Sequence, residues 1–261
     1  MFHLEYFTSS IATGAATMQQ LTSIYNGVVP RLNNGFQVPA ALPYLHSVVG
    51  IGVNLVRLRI QSPRFLPFPY PDLNPNNRGA SGESPPRFFD YSSNPFPLNA
   101  TDEIDMFASQ NAAGAQVEYA AIQFTDNVKI PVPSGQAFTV HATASTTLSA
   151  GVFTPVQPIF DFPLPAGNYA LVGARYFGAS AMFFQMLPVQ QPLWRPGGLA
   201  VQAYDALDPP NQRNGGWIPY SQMTWGVWMV FRQNTPPAVN CFATAADTAE
   251  EFWYDLVYMG P

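Results

Sequence analysis

The chain has 261 residues, enough for one large β domain or two smaller ones. Only 10% of its residues are charged, Lys129 is its one lysine, and its net charge is −5 with a sequence pI near 5.0, where a usual soluble domain carries about 25% charged residues. Phosphate binding needs clustered basic groups that release counterions, so direct nucleic-acid binding is excluded as the main role; a hydrophobic share of 47% excludes intrinsic disorder.

A monomer of 28.6 kDa exposes roughly 11,000 Å², so its charges would lie about one per 400 Å², against about one per 170 Å² at usual composition. The rest of the composition (ten Arg, eight Met, 14% aromatics) matches interface cores, which enrich Arg, Met and aromatics and deplete Lys, Glu and Asp. Composition therefore predicts an assembly subunit. With 27 Pro and 19 Gly, long helices are disfavoured, because Pro deletes a donor and clashes with the preceding turn.

Phe2–Thr8 reads as a short strand or extended arm, and Ile11–Tyr25 as the best helix candidate, weakened by Gly14. Residues 1–30 are taken together as an N-terminal arm. They lack the basic start and apolar run of a secretory signal, which predicts folding in the cytoplasm of the producing cell. Gly35–Ala40 and Val48–Ile60 read as strands. A strand would set Arg57 and Arg59 on one face, where they offer a local anion contact. Residues 63–98 hold nine of the 27 prolines and read as one long loop, of the kind that is functional when it is not disordered. Its aromatics, Phe65, Phe68, Tyr70, Phe88 and Phe89 among them, need a surface to pack on, and a neighbouring subunit supplies one.

Thr101–Ser109 and Gln116–Phe124 follow as strands. The second alternates Val117, Tyr119 and Ala121 against Glu118, Ala120 and Ile122, with both faces partly apolar. Asn127–Gly135 is the most plausible seam. Beyond it Ala137–Ser149, Phe153–Phe162, Tyr169–Tyr176, Ser180–Leu187, Leu199–Tyr204, Gly226–Arg232, Val239–Thr244 and Phe252–Met259 read as strands. The apolar stretch around Ala179–Leu187 is too short for a membrane-spanning helix. Many short strands with Pro/Gly turns predict an all-β chain of two jelly-roll β-sandwiches in tandem, residues 31–130 and 131–261. The alternative is one jelly roll with long loop insertions. No close sequence repeat links the halves.

Nothing in the sequence assembles a catalytic, metal or cofactor site. His3, His46 and His141 offer no pair of ligands from one element. The lone Cys241 forms no internal disulfide and reads as a small core residue. Asp102, Glu103 and Asp105 read as a turn or helix cap behind Thr101 rather than as the two separated carboxylates of a glycosidase. Asp247, Glu250 and Glu251 fit a helical turn or a solvated loop. Trp217, Tyr220, Trp225 and Trp228 form an aromatic run that would suit a sugar platform if exposed, so a carbohydrate- or receptor-binding β-sandwich, such as a virion spike, is the alternative function.

The strand Arg57-Leu-Arg-Ile-Gln-Ser-Pro63, the Pro-rich excursion ending in Asn94-Pro95-Phe96-Pro97-Leu98, the run Leu164–Gly173, Trp194-Arg-Pro-Gly197 and Ala246-Asp247 before a final strand together resemble virion proteins of tailless icosahedral bacterial viruses. The likeness runs from about Val48 to the C-terminus. The major capsid proteins of that group use two jelly rolls per subunit, so the resemblance implies a major capsid subunit forming an icosahedral shell of pseudo-hexameric trimers, located in the virion and often enclosing a membrane. It carries over no catalytic motif and no cofactor. Its partners would be copies of itself, minor capsid proteins and an internal membrane; with no basic arm, another component must face the genome. The expected inter-subunit contacts are Phe65, Phe68, Tyr70, Phe88, Phe89, Trp194 and Arg195, with Arg195 reaching a neighbour's carboxylate or carbonyls.

Overall fold

The computed structural model describes residues 1–14, 17–24, 26–52, 55–66, 72–73, 87–111, 113–188, 193–200 and 226–261. Two compact units divide the chain, Phe2–Asn127 and Val128–Pro261. The first contains β1 (Phe2–Ile11), β2 (Gln19–Gln20), β3 (Thr22–Ser23), β4 (Arg31–Leu32), β5 (Gly35–Gln37), β6 (Tyr44–Ile51), β7 (Leu55–Gln61), β8 (Asp72–Leu73), β9 (Arg87–Asp90), β10 (Phe96–Pro97), β11 (Glu103–Gln110) and β12 (Gln116–Thr125). The second contains β13 (Gln136–Ala144), β14 (Phe153–Val156), β15 (Ile159–Phe160), β16 (Asn168–Phe177), β17 (Ala181–Leu187), β18 (Gly197–Leu199), β19 (Met229–Arg232), β20 (Ala238–Ala243) and β21 (Glu250–Gly260).

Both units are jelly rolls with one connectivity. In the first, one sheet runs β9 and β10 beside β6, then β12, β1 and β3; the other runs β4-β5-β11-β7-β8, with β2 also on β11. In the second, the sheets run β15-β13-β21-β16-β19 and β14-β20-β17-β18. Take β1, β5, β6, β7, β8, β9, β11 and β12 as strands one to eight of the first roll, and β13, β14, β16, β17, β18, β19, β20 and β21 as those of the second. Each roll then places strands one, eight, three and six side by side in one sheet, and two, seven, four and five in the other. That order is the double Greek key of a jelly roll.

Aromatics from facing sheets close each core. Phe36 on β5 meets Phe7 of β1 at 5.1 Å and Phe124 of β12 at 5.5 Å between ring centroids. In the second roll Tyr176 of β16 stacks on Phe252 of β21 at 5.0 Å and meets Phe184 of β17, in the other sheet, at 5.9 Å. Edge-to-face and offset pairs add to the area these rings bury. Strands β12 and β17 are buried on both faces over most of their length, which is why their sequences are apolar runs more than alternations.

Three expectations are corrected. Phe2–Ile11 is no arm: it is the first strand of roll one and pairs along its whole length with β12. The stretch expected as a helix carries β2 and β3 instead. Gln19 and Gln20 pair with β11, and Thr22 and Ser23 with β1, so tertiary pairing overrides a weak local preference that Gly14, at φ 151°, already interrupts. The excursion 63–98 is not a single loop, since its described parts include a 3-10 turn at Pro63–Phe65 and the strands β8, β9 and β10. No helix among the described residues is long and apolar enough to cross a membrane.

Candidate functional site

The residues expected to meet a neighbouring subunit fall at several places in the fold. Phe65 sits in the 3-10 turn after β7, half-buried, and stacks on Phe96 of β10 at 5.3 Å. The Arg64 guanidinium lies 5.9 Å from the Phe96 centroid, and its Nε donates to the Pro97 carbonyl at 3.3 Å. These contacts tie the base of the excursion to the rim of the first roll. Phe88 and Phe89 belong to β9, opposite Val49 and Val48 of β6, and Phe89 is half-buried. Phe68 and Tyr70 lie outside the described residues. Trp194 and Arg195 are half-buried just ahead of β18, and the Trp194 Nε1 is enclosed without an acceptor.

A more exposed apolar pair lies in the second roll, between its second and third strands. Ile159 of the short edge strand β15 is 71% exposed and Phe162 51%; Val152, just ahead of the second strand, is 50% exposed. Next to it, the outer face of β13, β21 and β16 is polar. Thr139 donates to Asp255 at 2.6 Å, Arg175 to the same carboxylate at 2.8 Å, and His141 sits 2.7 Å from Asp161 and 3.6 Å from Glu251. No group of three or more His, Cys, Asp or Glu among the described residues is arranged to hold a metal ion.

Other candidates resolve individually. Arg57 and Arg59 do share a face, and both bind the Asp72 carboxylate of β8, Arg59 Nη2 at 3.0 Å from Oδ2. Hydrogen bonding to Arg59, with a smaller contribution from Arg57, holds the Asp72 carboxyl below its ordinary range. Glu103 and Asp105 lie on β11, where burial raises both carboxyls; the segment is a turn at Thr101 running into a strand, with no helix to cap. Trp228 is wholly buried, so it cannot serve an open sugar platform; Trp217, Tyr220 and Trp225 lie outside the described residues. Cys241 is buried.

Two acids that the sequence left on solvated or ambiguous positions are enclosed. Glu118 is 0% and Glu250 1% exposed, and burial lifts their carboxyls to about 8 and about 7. The Glu250 carboxylate lies within a group formed by Tyr176, Cys241 and Asp247.

No protein-family model matches the chain, and no curated protein matches it. Among solved structures it is similar to the STIV MCP, at 8% identity and a TM-score of 0.28 over 100% of this chain and 98% of that one. It is also similar to the major capsid protein P2 from bacteriophage PM2, at 12% identity and a TM-score of 0.24 over 98% of each chain.

Proposed function

We propose that this chain is a structural virion protein, a capsid subunit that assembles with copies of itself. The observation that carries the reading is the pair of tandem jelly rolls with one connectivity in a chain so poor in charge. Closed shells require each subunit to bury several symmetric and heterologous contacts. Permanent interfaces of this kind often exceed about 2,000 Å² and resemble a core cut in half. The exposed Val152, Ile159 and Phe162 are the kind of apolar surface such contacts cover.

In this reading the capsomer is a trimer, the trimers tile an icosahedral shell of a bacterial virus, and the protein resides in the virion after synthesis in the host cytoplasm. Phe65, Phe68, Tyr70, Phe88, Phe89, Trp194 and Arg195 contribute inter-subunit contacts. Minor capsid proteins or an internal membrane stand between the shell and the genome. The role is structural, not enzymatic. Among the described residues the carbohydrate-binding alternative has no observation in its favour, since Trp228 is buried.

The test is the oligomeric state of the purified full chain by analytical ultracentrifugation, followed by negative-stain imaging. Trimers that close into shells are expected. A compact monomer that persists at high concentration overturns the proposal.

A further inference from the structure

The two rolls bury a glutamate at the same place. Glu118 lies near the start of β12, and Glu250 opens β21, so each stands at the beginning of strand eight in its roll. On one side Glu118 faces Ser9 of β1, and Glu250 faces Ala144 of β13. On the other side, Tyr119 pairs with Ile51 and Glu251 with Phe177. The next step in register sets Glu118 against Gly52 and Glu250 against Gly178, each the first residue after strand three.

Both glycines make room for the acid beside them. A Cβ on Gly52 would overlap Oε2 of Glu118, and one on Gly178 would come 2.5 Å from Oε2 of Glu250. All four carboxylate oxygens are buried, those of Glu118 with no hydrogen-bond partner; the Tyr176 hydroxyl lies against Glu250, and its hydrogen bond offsets only part of what burial costs the charged form. An ionised carboxylate in such a place has lost its water and gained at most one donor, which is costly; the neutral acid avoids most of that cost.

The surroundings differ in detail. No charged group among the described residues bears on Glu118; burial first, and then the Glu118 charge, raises the neighbouring Tyr119 hydroxyl. After burial, Glu250 is affected by Tyr176 of strand three, whose hydrogen bond lowers it, and by Asp247 of the connection before β21, whose charge raises it; Cys241 of strand seven and Tyr254 are raised chiefly by burial, with smaller contributions from Glu250 and Cys241 respectively.

We propose that Glu118 and Glu250 are a matched pair of proton-operated latches, which as neutral acids seat strand eight against the end of strand three and on ionisation loosen that junction, each in its own roll. Both acids hold their proton more tightly folded than unfolded. Their contribution is therefore complete below the ordinary carboxyl value of 4.5 and is lost as pH rises through about 7 for Glu250 and about 8 for Glu118. Inside that window each group lowers the closing equilibrium by at most about tenfold per pH unit. The latch rests on the geometry of each roll and stands apart from the capsid reading.

Hydrogen exchange by mass spectrometry on the full chain tests it, at about pH 5 and about pH 9 with intrinsic rates divided out. Peptides covering Gly52 with the start of β12, and Gly178 with the start of β21, should lose at least about tenfold in protection at the higher pH. Glu118→Gln should abolish that loss in the first roll only, and Glu250→Gln in the second only. Equal protection at both pH values, or a loss that both variants retain, overturns the proposal. Should a Gln variant fail to fold, infrared spectra of the unmodified chain decide. A carbonyl band of neutral buried carboxyl must be present at about pH 6 and vanish by about pH 9, and its absence at the lower pH is equally fatal.

Discussion

At the scale of single residues, Phe36 holds the first roll together. It is 2% exposed and touches an aromatic ring on each of two strands in the facing sheet. Cutting it back to alanine removes both ring contacts and leaves a cavity that β-sheets, fixed by their ladders, fill poorly. Phe36→Ala should cost about 3–5 kcal/mol, read from the shift in a urea denaturation midpoint. Asp72 tests the opposite kind of group. Its partners Arg57 and Arg59 are part-exposed, so water and salt screen the attraction and Asp72→Asn should cost less than about 1 kcal/mol at neutral pH. The pH sign is the reverse of that for Glu118 and Glu250. A carboxyl held below its ordinary value of 3.8 adds stability that is present above that value and is lost as pH falls through the lower folded one. Thermal melts of the native and Asn forms should therefore differ at pH 7 and converge in strong acid; a difference that widens toward acid would reject the assignment.

At the scale of elements, strand eight of each roll is paired on both sides, β12 between β1 and β6 and β21 between β13 and β16. A proline in the middle of β21 removes a ladder donor where no edge can absorb the loss. Leu256→Pro should abolish the second roll's share of the unfolding transition by circular dichroism and leave that of the first, whereas a transition of full amplitude would mean β21 is not central. The long strands were the legible ones. The sequence reading of Tyr169–Tyr176, Val239–Thr244 and Phe252–Met259 falls within a residue or two of β16, β20 and β21, because each buries enough apolar surface to show in its composition. Val48–Ile60 reads as one strand and is two, β6 and β7, which belong to different sheets on either side of Gly52. The two-residue strands β2, β3 and β4 carry no pattern, since what makes them strands is a partner far along the chain. The buried acids were hidden for a related reason. Both faces of β12 are apolar, so alternation does not say which way Glu118 points. Glu250 and Glu251 are adjacent, and only the register turns the first inward and leaves the second part-exposed.

At the scale of the whole molecule, the question is what covers a surface with so little charge. In the capsid reading, part of the answer is a surface other than the contacts that the sequence suggests. Ile159 and Phe162 stand on the connection between strands two and three of the second roll, where β15 is an edge strand of only two residues. An edge that short offers little ladder for another chain to pair with, so what its open apolar side chains favour is contact through the side chains themselves. In the capsid reading a second copy covers it. Burying two such side chains contributes about 1.5–3 kcal/mol each, so replacing both with aspartate should weaken association about a hundredfold or more. The folded subunit should barely notice, because both positions are already in water; its melting transition should move by no more than the roughly 0.5 kcal/mol usual for surface changes. Sedimentation of the Ile159→Asp, Phe162→Asp chain beside the native one separates the two effects. A subunit that melts normally but no longer forms trimers assigns the connection to a contact between copies. One that assembles as before places those contacts elsewhere, with the Phe65–Phe96 rim of the first roll as the next surface to charge.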